Sequence, residues 1–175
     1  MIGRNLKVLL SEATIQNRVR ALGLEIAAGY PGDDPLYLVC VLKGSCVFLA
    51  DLARAIPRPV RIDFVSASSY GSETVSSGEV TLTKDVASDV GGADVLIVED
   101  IVDTGATLAF LRDHLARKQP RSLRVVSLLD KPERRSQEVT IDYAGFTVPD
   151  EFVVGYGLDF DEAYRNLRDV CVLES

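Results

Sequence analysis

The sequence has little of what marks several common functional classes. It carries one histidine, His114, in a helix-like stretch between Asp113 and Leu115, from which no Ser-His-Asp arrangement can be argued and for which a surface helix position is expected. Its three cysteines, Cys40, Cys46 and Cys171, are an odd set without metal-ligand spacing and read as free thiols of a reducing compartment. No apolar run approaches the roughly 18–20 residues that a membrane helix requires. The apolar part of residues 1–10 is too short for a secretory signal. There is no repeat, low-complexity tract or linker-like stretch. Basic residues are in deficit, 19 Lys and Arg against 26 Asp and Glu, and a net charge of −7 argues against a broad nucleic-acid surface. A cytoplasmic protein of one domain, residues 1–175, is the expectation, with no membrane and no nucleic acid among its partners.

What is present is ordinary globular composition, 47% hydrophobic and 26% charged. Ile15, Val19, Leu22 and Ile26 recur at spacings of three and four, which predicts a helix over 14–28 capped by Ser11 or Thr14 and ended by Gly29. Residues 36–42 form a continuous apolar run, the pattern of a strand buried on both faces. A short helix follows to Ile56, stopped by Pro57, and 60–64 alternates as a strand. The stretch 66–78, rich in Ser and Gly, has no core-forming pattern and predicts a mobile loop, closed as a hairpin by a strand over 79–83. Further strands are predicted over 93–98, 122–129, 139–143 and 152–156, with a helix over about 107–118. Strands alternating with helices imply an α/β fold with a mostly parallel sheet, whose ligand site lies at the carboxyl ends of the strands.

The chemistry concentrates where the strand over 93–98 runs into Glu99, Asp100, Ile101, Val102, Asp103, Thr104, Gly105, Ala106 and Thr107. Three carboxylates precede a Thr-Gly-x-Thr turn that opens a helix. Gly105 permits close backbone approach, and a helix N-terminus with two flanking hydroxyls favours a phosphate. The acids beside it suit ribose hydroxyls. Helix capping by Asp103 and Thr104 alone would leave Glu99 and Asp100 clustered without cause.

This segment resembles the phosphoribosyl-pyrophosphate loop of the type I phosphoribosyltransferases. Leu42-Lys43-Gly44-Ser45, Ser69-Tyr70, Asp130-Lys131-Pro132-Glu133-Arg134-Arg135 and the run from Phe152 to Asp159 are similar, in the same order, to segments of bacterial hypoxanthine-guanine phosphoribosyltransferases. The resemblance implies a twisted parallel sheet flanked by helices, a small hood made by the N- and C-terminal segments, and a mobile lid hairpin. It implies transfer of the phosphoribosyl group to a 6-oxopurine, giving IMP or GMP and pyrophosphate, with Mg2+ as cofactor and a homodimer or homotetramer as the assembly.

Residue by residue, the resemblance makes Glu99 and Asp100 the ribose-binding acids and Asp103 the catalytic general base. Thr104, Gly105, Ala106 and Thr107 become the 5′-phosphate loop, and Lys43, Gly44 and Arg165 the pyrophosphate site. Lys131 would meet the purine 6-oxo group, Phe152 would stack on the ring, and Val153 and Asp159 would line its edge. Glu99, Asp100 and Asp159 would be the metal ligands, and Ser69-Tyr70 the lid. A cis peptide is implied at Leu42-Lys43. Arg135 is left between shaping its loop and touching phosphate. Ala106 departs from the larger side chain common at that position. Two other classes remain to be weighed: a regulator of the same fold that binds RNA or nucleotide, and a phospho-receiver domain. A receiver would carry its acidic pair near the N-terminus, whereas Glu99-Asp100 lies beyond mid-chain.

Overall fold

The computed structural model describes residues 5–69 and 80–174. Among these, nine strands and three helices follow in the order β1 (Leu6–Leu10), α1 (Glu12–Gly29), β2 (Leu36–Val41), α2 (Cys46–Ala55), β3 (Val60–Ser69), β4 (Val80–Lys84), β5 (Asp94–Val102), α3 (Ala106–Ala116), β6 (Ser122–Asp130), β7 (Tyr143–Thr147), β8 (Val153–Val154) and β9 (Val170–Leu173). The main sheet has the order β4-β3-β2-β5-β6-β7. Its strands from β3 to β7 run parallel, and β4 returns antiparallel against β3. A separate antiparallel sheet, β1-β9-β8, joins the two ends of the chain and is the expected hood.

The central strands are apolar on both faces because both faces are covered. Along β2, Leu36, Leu38 and Cys40 pack towards α1 and α2, while Val39 and Val41 pack towards α3. In β5, Leu96 and Val98 share the first face, and Val95 and Ile97 the second. A side-chain period of two in a doubly covered strand leaves no position for a polar residue until the strand emerges at its carboxyl end. α1 begins where Ser11 accepts the backbone N–H of Thr14 at 3.3 Å, which decides the cap in favour of Ser11.

Several expectations are corrected. β3 runs on to Ser69, so residues 66–69 are strand rather than loop, paired with Lys84, Leu82, Thr81 and Val80. Tyr70 and the rest of the expected lid, to residue 78, lie outside the described residues. The strand expected over 139–143 lies at Tyr143–Thr147. Val139 and Ile141 instead pack on the α3 face, and Asp142 bonds the backbone of Val125 through its own N–H and its carboxylate. The strand expected over 152–156 shrinks to Val153–Val154, because Gly155, Tyr156 and Gly157 all take left-handed φ values of 96°, 50° and 103°. β1 and β9 have no local signature, since each is completed only by the other end of the chain. His114 lies on α3 as expected, stacked on Phe110 and bonded to Asp85 at 2.9 Å.

Candidate active site

β5 carries the acidic pair within its last residues rather than beyond its end. Alternation sends Glu99 and Asp100 to opposite sides of the strand. Glu99 is 6% exposed, and its carboxylate accepts the Ser45 hydroxyl at 3.5 Å. The same hydroxyl oxygen accepts the backbone N–H of Asp100 at 3.0 Å, and Asp100 Oδ1 accepts the N–H of Ile101 at 2.8 Å. Burial, reinforced by the neighbouring Asp100 charge, raises Glu99 well above the usual carboxylate range. Burial likewise lifts Asp100 to about 6, against the lowering effect of its backbone bonds and of Arg165. Two acids held this way gain from any ligand that brings cations or hydroxyl donors to them.

The chain then turns at Gly105, whose φ of 85° is a left-handed conformation that opens α3. A side chain there would also meet the Gln137 carbonyl at 2.9 Å. Thr104 Oγ1 accepts the N–H of Ala106 at 3.4 Å, and the Thr104 carbonyl receives Ser136 N and Gln137 N at 3.0 Å each. Thr104, Gly105 and Thr107 line a cavity of about 250 Å3 together with Gly44, Glu99, Asp100 and Asp103. Its size, its helix N-terminus and its hydroxyls match a phosphate with an attached sugar.

A second cavity, of about 490 Å3, shares the wall formed by Asp100, Ile101 and Asp103 and is closed by Lys131, Arg134, Phe152, Val153 and Asp159. Lys131 is 5% exposed, and its ammonium donates to the Glu151 carbonyl at 2.5 Å. Phe152 is 54% exposed and meets Phe160 edge to face at 5.7 Å, so it is no core residue. Val153 is buried in β8.

The loop after β2 contains the cis peptide Leu42-Lys43, as the resemblance implies. Lys43 Nζ lies 3.2 Å from both carboxylate oxygens of Glu162. Arg165 donates to the Gly157 carbonyl at 2.8 Å and pairs with Asp159 Oδ1 at 2.8 Å and Glu162 at 3.5 Å. Asp159 Oδ2 accepts the N–H of Glu162 at 2.9 Å. The expected metal ligands Glu99, Asp100 and Asp159 therefore do not form a cluster: among the described residues no group of three or more His, Cys, Asp or Glu is arranged to hold a metal. The Asp159 oxygens are engaged by Arg165 and the backbone.

Arg135 shapes its loop. It donates to the carbonyls of Asp103 at 3.2 Å and Val102 at 3.4 Å, and to the Asp130 carboxylate. Ser69 ends β3, next to Ser68 and Ala67, and Ala67 lines the smaller cavity. Sequence reasoning gave no individual role to three residues that matter to this geometry. Ser45 stands beside the expected Lys43-Gly44 pair, Arg134 beside the weighed Arg135, and Glu162 three residues from Asp159. Adjacency to a motif was the available signal for each.

A phosphoribosyl transferase domain model matches residues 11–161. The chain is 51% identical over 173 residues to a hypoxanthine-guanine phosphoribosyltransferase of Mycobacterium avium, covering 95% of this chain and 85% of that one. It is 48% identical over 168 residues to the hypoxanthine-guanine phosphoribosyltransferase of Bacillus subtilis strain 168, covering 96% of this chain and 93% of that one. Among solved structures, a hypoxanthine-guanine phosphoribosyltransferase from Bacillus anthracis str. 'Ames Ancestor' superposes with a TM-score of 0.92 at 47% identity, covering 97% of this chain and all of the other. Neither an RNA-binding regulator nor a receiver domain is favoured by these likenesses. About half the residues are identical across nearly the full length, on a shared fold: the chain belongs to the phosphoribosyltransferase family, among the hypoxanthine-guanine phosphoribosyltransferases.

Proposed function

We propose that the protein is a purine-salvage transferase that joins hypoxanthine or guanine to the ribose of phosphoribosyl pyrophosphate. The observation that carries this reading is the shared wall: the phosphate-sized cavity and the larger aromatic-lined cavity meet at Asp100, Ile101 and Asp103. A sugar phosphate in the first and a planar base in the second would bring the anomeric carbon and the attacking ring nitrogen together there. The new bond joins the purine N9 to that carbon as the bond to the diphosphate oxygen breaks. The imidazole-ring proton of the base passes to Asp103, and the electron pair leaves with the diphosphate.

Thr104, Gly105, Ala106 and Thr107 hold the 5′-phosphate, and Glu99 and Asp100 the ribose hydroxyls. Lys131 meets the 6-oxo group, Phe152 stacks on the ring, and Val153 lies at its edge. Lys43, Gly44 and Arg165 take the diphosphate. Glu99, Asp100 and Asp159 supply only oxygen donors, and no three of them converge, which fits a magnesium ion that keeps waters and arrives with substrate oxygens. Such an ion would neutralise diphosphate charge. Asp159 joins it only by exchanging its Arg165 partner. Ser69 and Tyr70 belong to the lid that keeps water from the activated sugar.

The whole chain, residues 1–175, acts as one catalytic unit in this reading, in a homodimer or homotetramer. Three free thiols support a cytoplasmic setting, and no helix among the described residues is long and apolar enough to cross a membrane. A spectrophotometric assay with magnesium, phosphoribosyl pyrophosphate and each of hypoxanthine, guanine, xanthine, adenine and uracil tests the proposal. Turnover of hypoxanthine or guanine is expected. No turnover of either by folded protein overturns it.

A further inference from the structure

Two consecutive arginines grip residue 103 from different directions. Arg135 holds its carbonyl, at 3.2 Å. Arg134, at the end of the single 3-10 turn Pro132–Arg134, reaches its side chain instead. The Arg134 Nε lies 3.2 Å from Asp103 Oδ1, and its Nη1 lies 3.6 Å from Oδ1 of Asp150. Asp103 Oδ1 is buried and has no aligned hydrogen-bond donor, so its counter-charge is the Arg134 guanidinium. The Asp103 side chain as a whole is nevertheless 39% exposed. That exposure belongs to the rest of the side chain, and Asp103 lines both cavities.

We infer that Arg134 is a positioning residue for the reaction: by covering one oxygen of Asp103 it turns the other towards the purine, and by pairing with Asp150 it fixes the spacing between the phosphate turn and the purine loop. This rests on the reading of Asp103 as the proton acceptor. Asp150 immediately precedes Glu151, whose carbonyl takes the Lys131 ammonium, and Phe152, so one guanidinium spans the base and the segment that frames its substrate. A planar fork with several donors can meet two carboxylates at once, which a lysine ammonium on a longer, looser stem does less well.

The fold does not depend on this contact. Arg134 is 50% exposed, and the turn around Asp103 is held by Arg135, by Ser136 N and Gln137 N on the Thr104 carbonyl, and by Lys131 N on the Val102 carbonyl. Exposed ion pairs contribute little to stability, so substitution at 134 is expected to leave the melting temperature nearly unchanged. A displaced catalytic group, by contrast, can cost about 100-fold in rate.

The test is a double-mutant cycle on the full chain, with Arg134→Gln and Arg134→Lys made in the native and the Asp103→Asn backgrounds. Initial rates are read by conversion of radiolabelled hypoxanthine, sensitive enough for the slow variants, with KM for both substrates. Arg134→Gln is expected to lower kcat about 10- to 100-fold with KM for phosphoribosyl pyrophosphate within about twofold, and Arg134→Lys to recover part of the loss. In the Asp103→Asn background the same Arg134→Gln change should cost less than about twofold, because there is no base left to orient. Equal losses in both backgrounds, or an unchanged kcat for Arg134→Gln, overturn the inference and leave the role of Asp103 standing. Unchanged turnover for Asp103→Asn alone would sink the reading of Asp103 itself, and the inference with it.

Discussion

Gly44 faces the carboxylate of Asp100 so closely that a Cβ on Gly44 would lie 1.7 Å from Asp100 Oδ2. Gly44 is closed by Gly157 as well, since the Gly44 carbonyl would stand 2.0 Å from a Cβ on Gly157. The loop after β2, the end of β5 and the turn after β8 therefore meet at a point where only hydrogen fits. Gly44→Ala should push Asp100 or the cis-peptide loop aside. The expected cost is about 1–3 kcal/mol of stability, together with a raised KM for phosphoribosyl pyrophosphate. Thermal unfolding and steady-state kinetics check both; a native melting temperature and KM would show that the loop yields freely.

Asp100 is held as a carboxyl whose folded pKa, about 6, exceeds the unfolded value of 3.8. The folded state then binds more protons than the unfolded state between those values, so this group's contribution to stability falls as pH rises from about 4 to 6 and stays low above. Asp100→Asn retains an oxygen for the Ile101 N–H and removes the charge. In the ligand-free protein it should raise stability at pH 8 by at most about 3 kcal/mol, with the gain vanishing near pH 4, while sugar-phosphate binding is lost. Urea unfolding of both proteins across that pH range is the measurement, and a destabilised variant at pH 8 would contradict the assignment.

Lys131 lines the larger cavity with its ammonium on the Glu151 carbonyl, while its backbone N–H bonds the Val102 carbonyl. Lys131→Ala keeps this backbone bond and removes the ammonium together with its buried methylene stem. The KM for hypoxanthine should rise about 10- to 100-fold, the usual range for a lost charged hydrogen bond, with KM for phosphoribosyl pyrophosphate little changed. A loss confined to the sugar phosphate would move Lys131 out of the base site.

Glu162 occupies both cations expected to take the diphosphate, lying 3.2 Å from Lys43 and 3.5 Å from Arg165. It does so from a tight turn in which Asp161, Glu162 and Tyr164 have φ values of 51°, 60° and 73°. A diphosphate bound to these two cations would displace this carboxylate. Glu162→Gln should tighten pyrophosphate binding in the presence of magnesium by about two- to fivefold at low ionic strength, with the difference shrinking in high salt. Calorimetric titration reads the change directly. Weaker binding to the variant would mean that Glu162 assists the diphosphate rather than standing in for it.

The central strands and helices were legible because their signals are local. The unbroken run of β2, the period of α1 and the acid-rich end of β5 each follow from a few neighbouring residues whose burial pattern repeats. The turn at Gly105 that opens α3 was legible for the same reason, since an acid pair, a glycine and two threonines fall within nine residues. The β3 extension was not, because its serines are held as strand only by the returning β4.

The sequence by itself thus determined the α/β class, the turn from β5 into α3 and the order of the motifs, all set by backbone geometry and burial within short segments. Tertiary structure alone decided what each charge faces. β1 finds β9 across the whole chain; Ser45 finds Asp100; Lys43 finds Glu162; and Arg134 finds both Asp103 and Asp150. Such pairings depend on where long side chains end once the sheet has brought distant loops to one edge, and Coulomb attraction acts on that separation in space rather than on distance along the chain.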